Sequence, residues 1–300
     1  MRLPPPSADQ AYCDVSALEG GHIKLPKGLV MKCDNEDEVN PFPASAFLLR
    51  HSRTQDTFLL DIGIRKDWQT GLPPPILRII RDSPFRVYVP EDVPTALAKG
   101  GLKPADIQHI CFTHIHFDHV GVPNDYTNAT FLIGEGARAL LENGYPKNPN
   151  SVFDVDLFPA DRTRFLSPSS KTDAAEWKPL GPFRHTFDFY GDGSLYIIDA
   201  PGHMAGHLMV LARTSSDGGW MMLAGDAAHD WKILRGEAEI GIHSRLGCMH
   251  KDRESAEDTI RAVKEVLEEP RVRTVLSHDQ PWYEARKGSS DFWPGKFESL

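Results

Sequence analysis

Between residues 114 and 119 the chain places His114, His116, Asp118 and His119 in the run HIHFDH, directly after the apolar stretch ICFT. Imidazoles this close repel one another when protonated, and buried neutral ones each need a partner. The chain holds 13 histidines, and chance would produce HxHxDH in roughly two such chains per thousand, so the cluster calls for a reason. A metal ion supplies one. Histidine and carboxylate donors suit zinc, manganese, cobalt or iron(II) rather than calcium. On an extended segment His114 and His116 point the same way and can reach one ion. Asp118 and His119 lie past the strand end and can turn toward a second.

Three further residues could join them. His203 sits in DAPGHMAGH after a strand and a Pro-Gly turn, Asp226 ends an apolar run in LAGDAAHD, and His278 ends another in VLSHD.

The elements that must position these residues follow from the apolar pattern. SAFLLRHS and DTFLLDIGI read as a hairpin, and IQHICFTH as a buried strand running into the cluster. A Pro-broken excursion covers 65–92, and a glycine-closed helix follows it at VPTALAKGG. Beyond the cluster come the strand ATFLIGE, the helix GARALLENG, and a surface excursion over 142–182 beside the active site. Strands resume at FRHTFDFYG, SLYIIDA, GHLMVLAR and WMMLAGDA. The helix RESAEDTIRAVKEVLEE repeats Ile260, Val263, Val266 and Leu267 at helical spacing, and the strand VRTVLSHD ends in His278. Ligand-type residues at the C-terminal ends of strands in both halves would meet at one edge of an α/β fold. One domain over 1–300 is expected, with 1–20 as an N-terminal arm.

With HxHxDH, a distal histidine, an aspartate and a final histidine in this order, the sequence resembles the metallo-β-lactamase fold superfamily over roughly residues 40–280. The N-acyl homoserine lactonase branch is the most similar. The resemblance implies a four-layer αβ/βα sandwich with long substrate loops and two divalent ions, zinc first and manganese, iron or cobalt next. His114, His116 and His203 would hold one ion; Asp118, His119 and His278 would hold the other; Asp226 would bridge. A hydroxide shared by the two ions would attack a carbonyl carbon. Asp226, Asp118 and His229 are the candidate catalytic residues. Aspartate at 226, where the antibiotic-hydrolysing branch uses cysteine, agrees with the lactonase, glyoxalase II and phosphodiesterase branches. His229 stands where the lactonases place a tyrosine. It would hydrogen-bond a developing oxyanion or protonate a leaving nitrogen, as a lactam or cyclic carbamate requires.

The expected activity is therefore opening of a cyclic ester or cyclic amide. The alternatives are a glyoxalase II-like thioesterase, for which the 22 residues after His278 are too few to form a helical substrate domain, and a phosphodiesterase or nuclease. The net charge of −9 weighs against nucleic acid. No run reaches the ~18 apolar residues of a membrane span. A small, partly apolar substrate is expected beneath loops carrying Trp68, Phe85, Tyr126, Tyr145, Phe153, Phe158, Phe165 and Trp177. Cys13, Cys33, Cys111 and Cys248 are scattered, without a CxxC pair, which fits reduced fillers and a cytoplasmic setting. Homodimer formation is left open. Asp61 reads as a hydrogen-bond acceptor behind the ligands or as a turn-former, and His207 as structural. His109, His243 and His250 read as surface or loop residues, and the acidic run 34–38 as a solvated loop.

Overall fold

The computed structural model describes residues 3–169 and 177–300. Its strands run in chain order as β1 (Cys13–Leu18), β2 (His22–Pro26), β3 (Val39–Pro43), β4 (Ala46–His51) and β5 (Thr57–Leu60). β6 (Arg86–Tyr88), β7 (His109–Cys111), β8 (Thr130–Gly134), β9 (Thr163–Leu166) and β10 (Trp177–Leu180) follow. The last five are β11 (Phe183–Asp188), β12 (Leu195–Asp199), β13 (Leu208–Arg213), β14 (Trp220–Leu223) and β15 (Val272–Val275). One six-stranded sheet has the order β1-β4-β5-β7-β8-β9 and another the order β10-β11-β12-β13-β14-β15; β3-β2-β6 form a small third sheet.

Alternation along the strands explains the layers. In β4, Phe47 and Leu49 point into the core between the two large sheets, where they join Phe58, Leu60, Val210 and Leu223. Ala46 and Leu48 point the other way, onto Val93, Ala96, Leu97 and Leu141 of flanking helices. Both faces of the strand are buried over Ala46–Leu49, so that run is continuously apolar. On the far side, Ile198, Met209, Leu211 and Met222 pack against Ile260, Val263 and Val266. These three residues lie on the helix Arg253–Leu267, whose N-terminus is capped by Asp252 accepting from Ser255 N. The stack is helix, sheet, sheet, helix, the sandwich expected from the sequence. No helix among the described residues is long and apolar enough to cross a membrane.

The hairpin is present as β4–β5, antiparallel with Phe47 opposite Leu60. Two expectations need correction, the extent of the N-terminal arm and the character of 142–182. The N-terminal arm is shorter than 1–20, because Cys13–Leu18 pair along β4. The outer edge of β1 is covered by the C-terminal segment, with Phe297 N donating to Val15 O and Ala17 N to Asp291 O. Within the 65–92 excursion the short amphipathic piece that the sequence suggests is the helix Pro74–Asp82, beside the helix Trp68–Gly71 and β6. The 142–182 stretch carries β9, which extends the first sheet in parallel with β8, and β10, which edges the second; residues 170–176 lie outside the described residues. The acidic run is a largely exposed loop, as expected, in which Glu36 receives Ser244 N and Asp37 pairs with Arg245.

Candidate metal centre

Parallel pairing sets the location. β5, β7 and β8 run parallel, as do β14 and β15. Asp61, His114, Asp226 and His278 each follow the C-terminal end of one of these strands, so all four emerge at a single edge. His203 arrives there from the turn after β12. His116, Asp118 and His119 come from the segment after β7, where one turn of helix, Phe117–Val120, brings Asp118 and His119 inward. Gly121 ends that turn with φ +42°, and a Cβ there would lie 2.8 Å from Ile62 O. Gly225 (φ +54°) does the same for Asp226, since a side chain would meet His207 Nε2 at 2.9 Å.

All seven residues expected from the sequence converge. His114 Nε2 and His203 Nε2 lie 2.8 and 3.1 Å from His116 Nδ1. His278 Nε2 is 3.5 Å from Asp118 Oδ2, and His119 Nε2 is 4.0 Å from the same oxygen. Asp226 stands between the two groups: Oδ2 is 3.4 Å from His203 Nε2, 3.7 Å from His114 Nε2 and 3.4 Å from His278 Nε2, while Oδ1 is 3.6 Å from His119 Nε2. The donor atoms of His114, His116 and His203, and those of Asp118, His119 and His278, each lie within 4.8 Å of one another.

The donor set fits cations. His119 Nε2, His278 Nε2 and Asp226 Oδ1 are buried and have no hydrogen-bond partner, a costly state that a bound ion relieves. Burial holds His114 and His203 well below the usual histidine range and brings His116 to about 4, so their lone pairs are free to ligate. Burial also opposes charge on His119, but Asp226, Asp61 and Asp118 outweigh it and raise this histidine well above its ordinary value. Asp226 stays well below the carboxylate range despite burial, because His278, His119, His229 and His114 surround it.

A second layer orients the ligands. Asp61 has φ +59°, an uncommon conformation that aspartate tolerates better than most residues. Its carboxylate faces His119 Nδ1 at 2.8 Å, and Thr113 Oγ1 faces His114 Nδ1 at 3.0 Å. Asp61 is thus a hydrogen-bond acceptor behind the candidate ligand His119. Its own pKa is raised by burial and restrained by His119. His207 ties the backbone together: its Nε2 accepts from Asp226 N, and its Nδ1 lies 3.0 Å from Ala200 O.

His229 lies inside the cluster. Its Nε2 is 3.1 Å from Asp226 Oδ2, its Nδ1 is buried without a partner, and its ring stacks 5.9 Å from that of His278. His250, expected at the surface or in a loop, lies in a loop but is buried, with ring centroids 5.3 Å from His203 and 5.1 Å from His229. No strand or helix carries His250 into the site, so periodicity could not mark it. His243 is also buried, away from the cluster and 3.3 Å from Asp37, and His109 is half-buried against Phe189. Of the loop aromatics, Phe153 lies over His116 at 6.3 Å. Trp68 packs against Leu72, Ile76 and Ile80, and Phe85 against Ile23, Leu25, Val30 and Phe42. Tyr126, Phe158 and Phe165 instead pack into the helix-side core, and Trp177 into the core between the sheets.

Comparison with known proteins agrees with this geometry. The chain is 33% identical over 190 residues to the gamma-lactamase FDB1 of Fusarium pseudograminearum, covering 61% of this chain and 45% of that protein. It is 30% identical over 277 residues to the cytochrome P450 monooxygenase mpaDE' of Penicillium brevicompactum, covering 85% of this chain and 31% of that one. The chain therefore spans less than half the length of either relative. A solved N-acyl homoserine lactone hydrolase, holding the product N-hexanoyl-L-homoserine at its catalytic metal centre, superposes with TM-score 0.69. That superposition covers 99% of this chain and 100% of the other at 15% identity, a likeness of fold alone. Residues 39–278 match the family model described as the metallo-beta-lactamase superfamily, and the chain belongs to that superfamily.

Proposed function

We propose that the chain is a metal-dependent hydrolase that opens a small cyclic ester or cyclic amide, with two divalent ions, zinc first, as cofactors. The observation that carries this reading is the position of Asp226, whose two oxygens face one trio of donors, His114, His116 and His203, and another, Asp118, His119 and His278. Ions held by these two trios would polarise a carbonyl and bring the pKa of a bound water to about 7.

The chain's own residues supply the rest. The Asp61–Thr113 pair fixes the rings of His119 and His114, so the ligands meet a cation without reorganising. Phe153, over His116, gives the site an apolar wall that favours a partly apolar ring. His229 would use its Nε2–H, beside Asp226, to hydrogen-bond developing charge or to deliver a proton to the leaving atom while its Nδ1 takes one up. A leaving nitrogen needs that proton more than a leaving oxygen does. The names of the relatives, gamma-lactamase and N-acyl homoserine lactone hydrolase, include both ring chemistries and support this class.

A proton-release screen of the zinc-loaded protein tests the reading. Lactones, γ-lactams and cyclic carbamates would be compared with thioesters and phosphodiesters. Turnover confined to the last two classes would overturn it.

A further inference from the structure

The four histidines expected to ligate through Nε2 are not held alike. Nδ1 of His114 is 3.0 Å from Thr113 Oγ1, Nδ1 of His119 is 2.8 Å from Asp61 Oδ2, and Nδ1 of His278 is 2.7 Å from Pro43 O. Nδ1 of His203 is buried and has no partner. A metal-ligating histidine normally donates its second N–H to an acceptor, which sets its tautomer and ring angle. His203 lacks one, and beside it stands His250, with both ring nitrogens buried and unpartnered.

We propose that His250 is a positioning residue for the metal centre, accepting the His203 Nδ1–H and donating its own N–H to Nδ1 of His229. The inference rests on the metal-centre reading of the site.

The tautomers are consistent. Asp226 accepts from His229 Nε2 at 3.1 Å, which makes the unpartnered Nδ1 of His229 an acceptor. His203, ligating through Nε2, has only a donor left. A neutral His250 offers one acceptor and one donor, so it alone completes the chain from His203 through His229 to Asp226. One ring nitrogen from each of His203, His229 and His250 lies within 4.8 Å of the other two. One bridging water or a small ring rotation spans gaps of that size. Without such a link, four buried imidazole nitrogens stay unsatisfied, each costing about 1–3 kcal/mol.

The test is zinc affinity, measured by competition with a chromophoric chelator on the folded full chain. In His250→Leu, which fills the space without a ring nitrogen, one of the two zinc ions should be held about 10–100-fold more weakly. His250→Gln, which keeps an acceptor and a donor, should recover most of that loss. Equal affinity in the parent and His250→Leu would overturn the proposal while leaving the metal centre standing. So would equal weakening in the Leu and Gln variants, which would reduce His250 to packing. A third zinc ion in the parent that is lost in His250→Leu would also overturn it, by assigning these nitrogens to an ion. A parent that binds no zinc would instead remove the metal-centre reading.

Discussion

Asp61 and Thr113 are joined by two hydrogen bonds of 2.7 Å, from Thr113 N and Thr113 Oγ1 to the two oxygens of one buried carboxylate. This clamp locks the end of β5 to the segment that carries the histidine cluster, and Oδ2 of the same carboxylate faces His119. Asp61→Ala would strand the Thr113 donors and free the His119 ring. We expect zinc affinity at one site to fall about 10–100-fold, together with a loss of about 2–4 kcal/mol of stability. Chelator competition and urea unfolding measure the two effects separately. Unchanged zinc affinity would return Asp61 to the role of turn-former.

Asp226 faces both donor groups, so its removal should disable both. Elemental analysis should find close to two divalent ions per parent chain and fewer than one in Asp226→Ala, whose turnover should fall below detection. A parent with one ion, and full activity in the variant, would end the two-ion account.

His229 contacts Asp226 but belongs to neither trio of donors. His229→Ala should keep its metal content at saturating zinc and lose turnover by about 10²–10⁴-fold, the usual contribution of a positioned proton donor. The loss should be larger on a lactam than on a lactone of the same ring size. Identical kinetics on both rings would show that the histidine only fills space.

Acid should destabilise the fold through its buried neutral histidines. Burial brings His207 to about 4 and His250 to about 3, against 6.5 when exposed. Below pH 6.5 the unfolded chain therefore binds protons that the folded chain refuses, so stability falls as pH drops from 6.5 toward 4. Each group contributes a slope of up to about 1.4 kcal/mol per pH unit. His250→Leu should show a shallower loss than the parent between pH 7.5 and 5 in urea titrations. Parallel curves would show that His250 takes up its proton while folded.

Much of the centre was legible in the sequence because its ligands follow strands or sit in one short run. HIHFDH is local, and Asp226 and His278 end apolar stretches whose β character is plain. The sandwich came from the family resemblance, and the strand pattern by itself pointed only to an α/β fold; the run Ala46–Leu49, buried on both faces, is apolar as such a strand must be. The role of Asp61 was half visible, as a polar residue at a strand end, whereas that of Thr113 came only from its two hydrogen bonds to Asp61.

Tertiary structure decided the rest. His250 sits in an irregular segment 47 residues after His203, and no periodicity marks such a segment as buried; only the close approach of that loop to the turn after β12 places it among the ligands. The extent of the arm and the fate of the loop aromatics were likewise settled by pairing. Cys13–Leu18 becomes a strand because β4 offers an open edge, and Tyr126, Phe158 and Trp177 turn inward because core space awaits them. Composition fixes what a side chain can do. Whether it faces a cation or a leucine depends on contacts made between residues far apart in the chain.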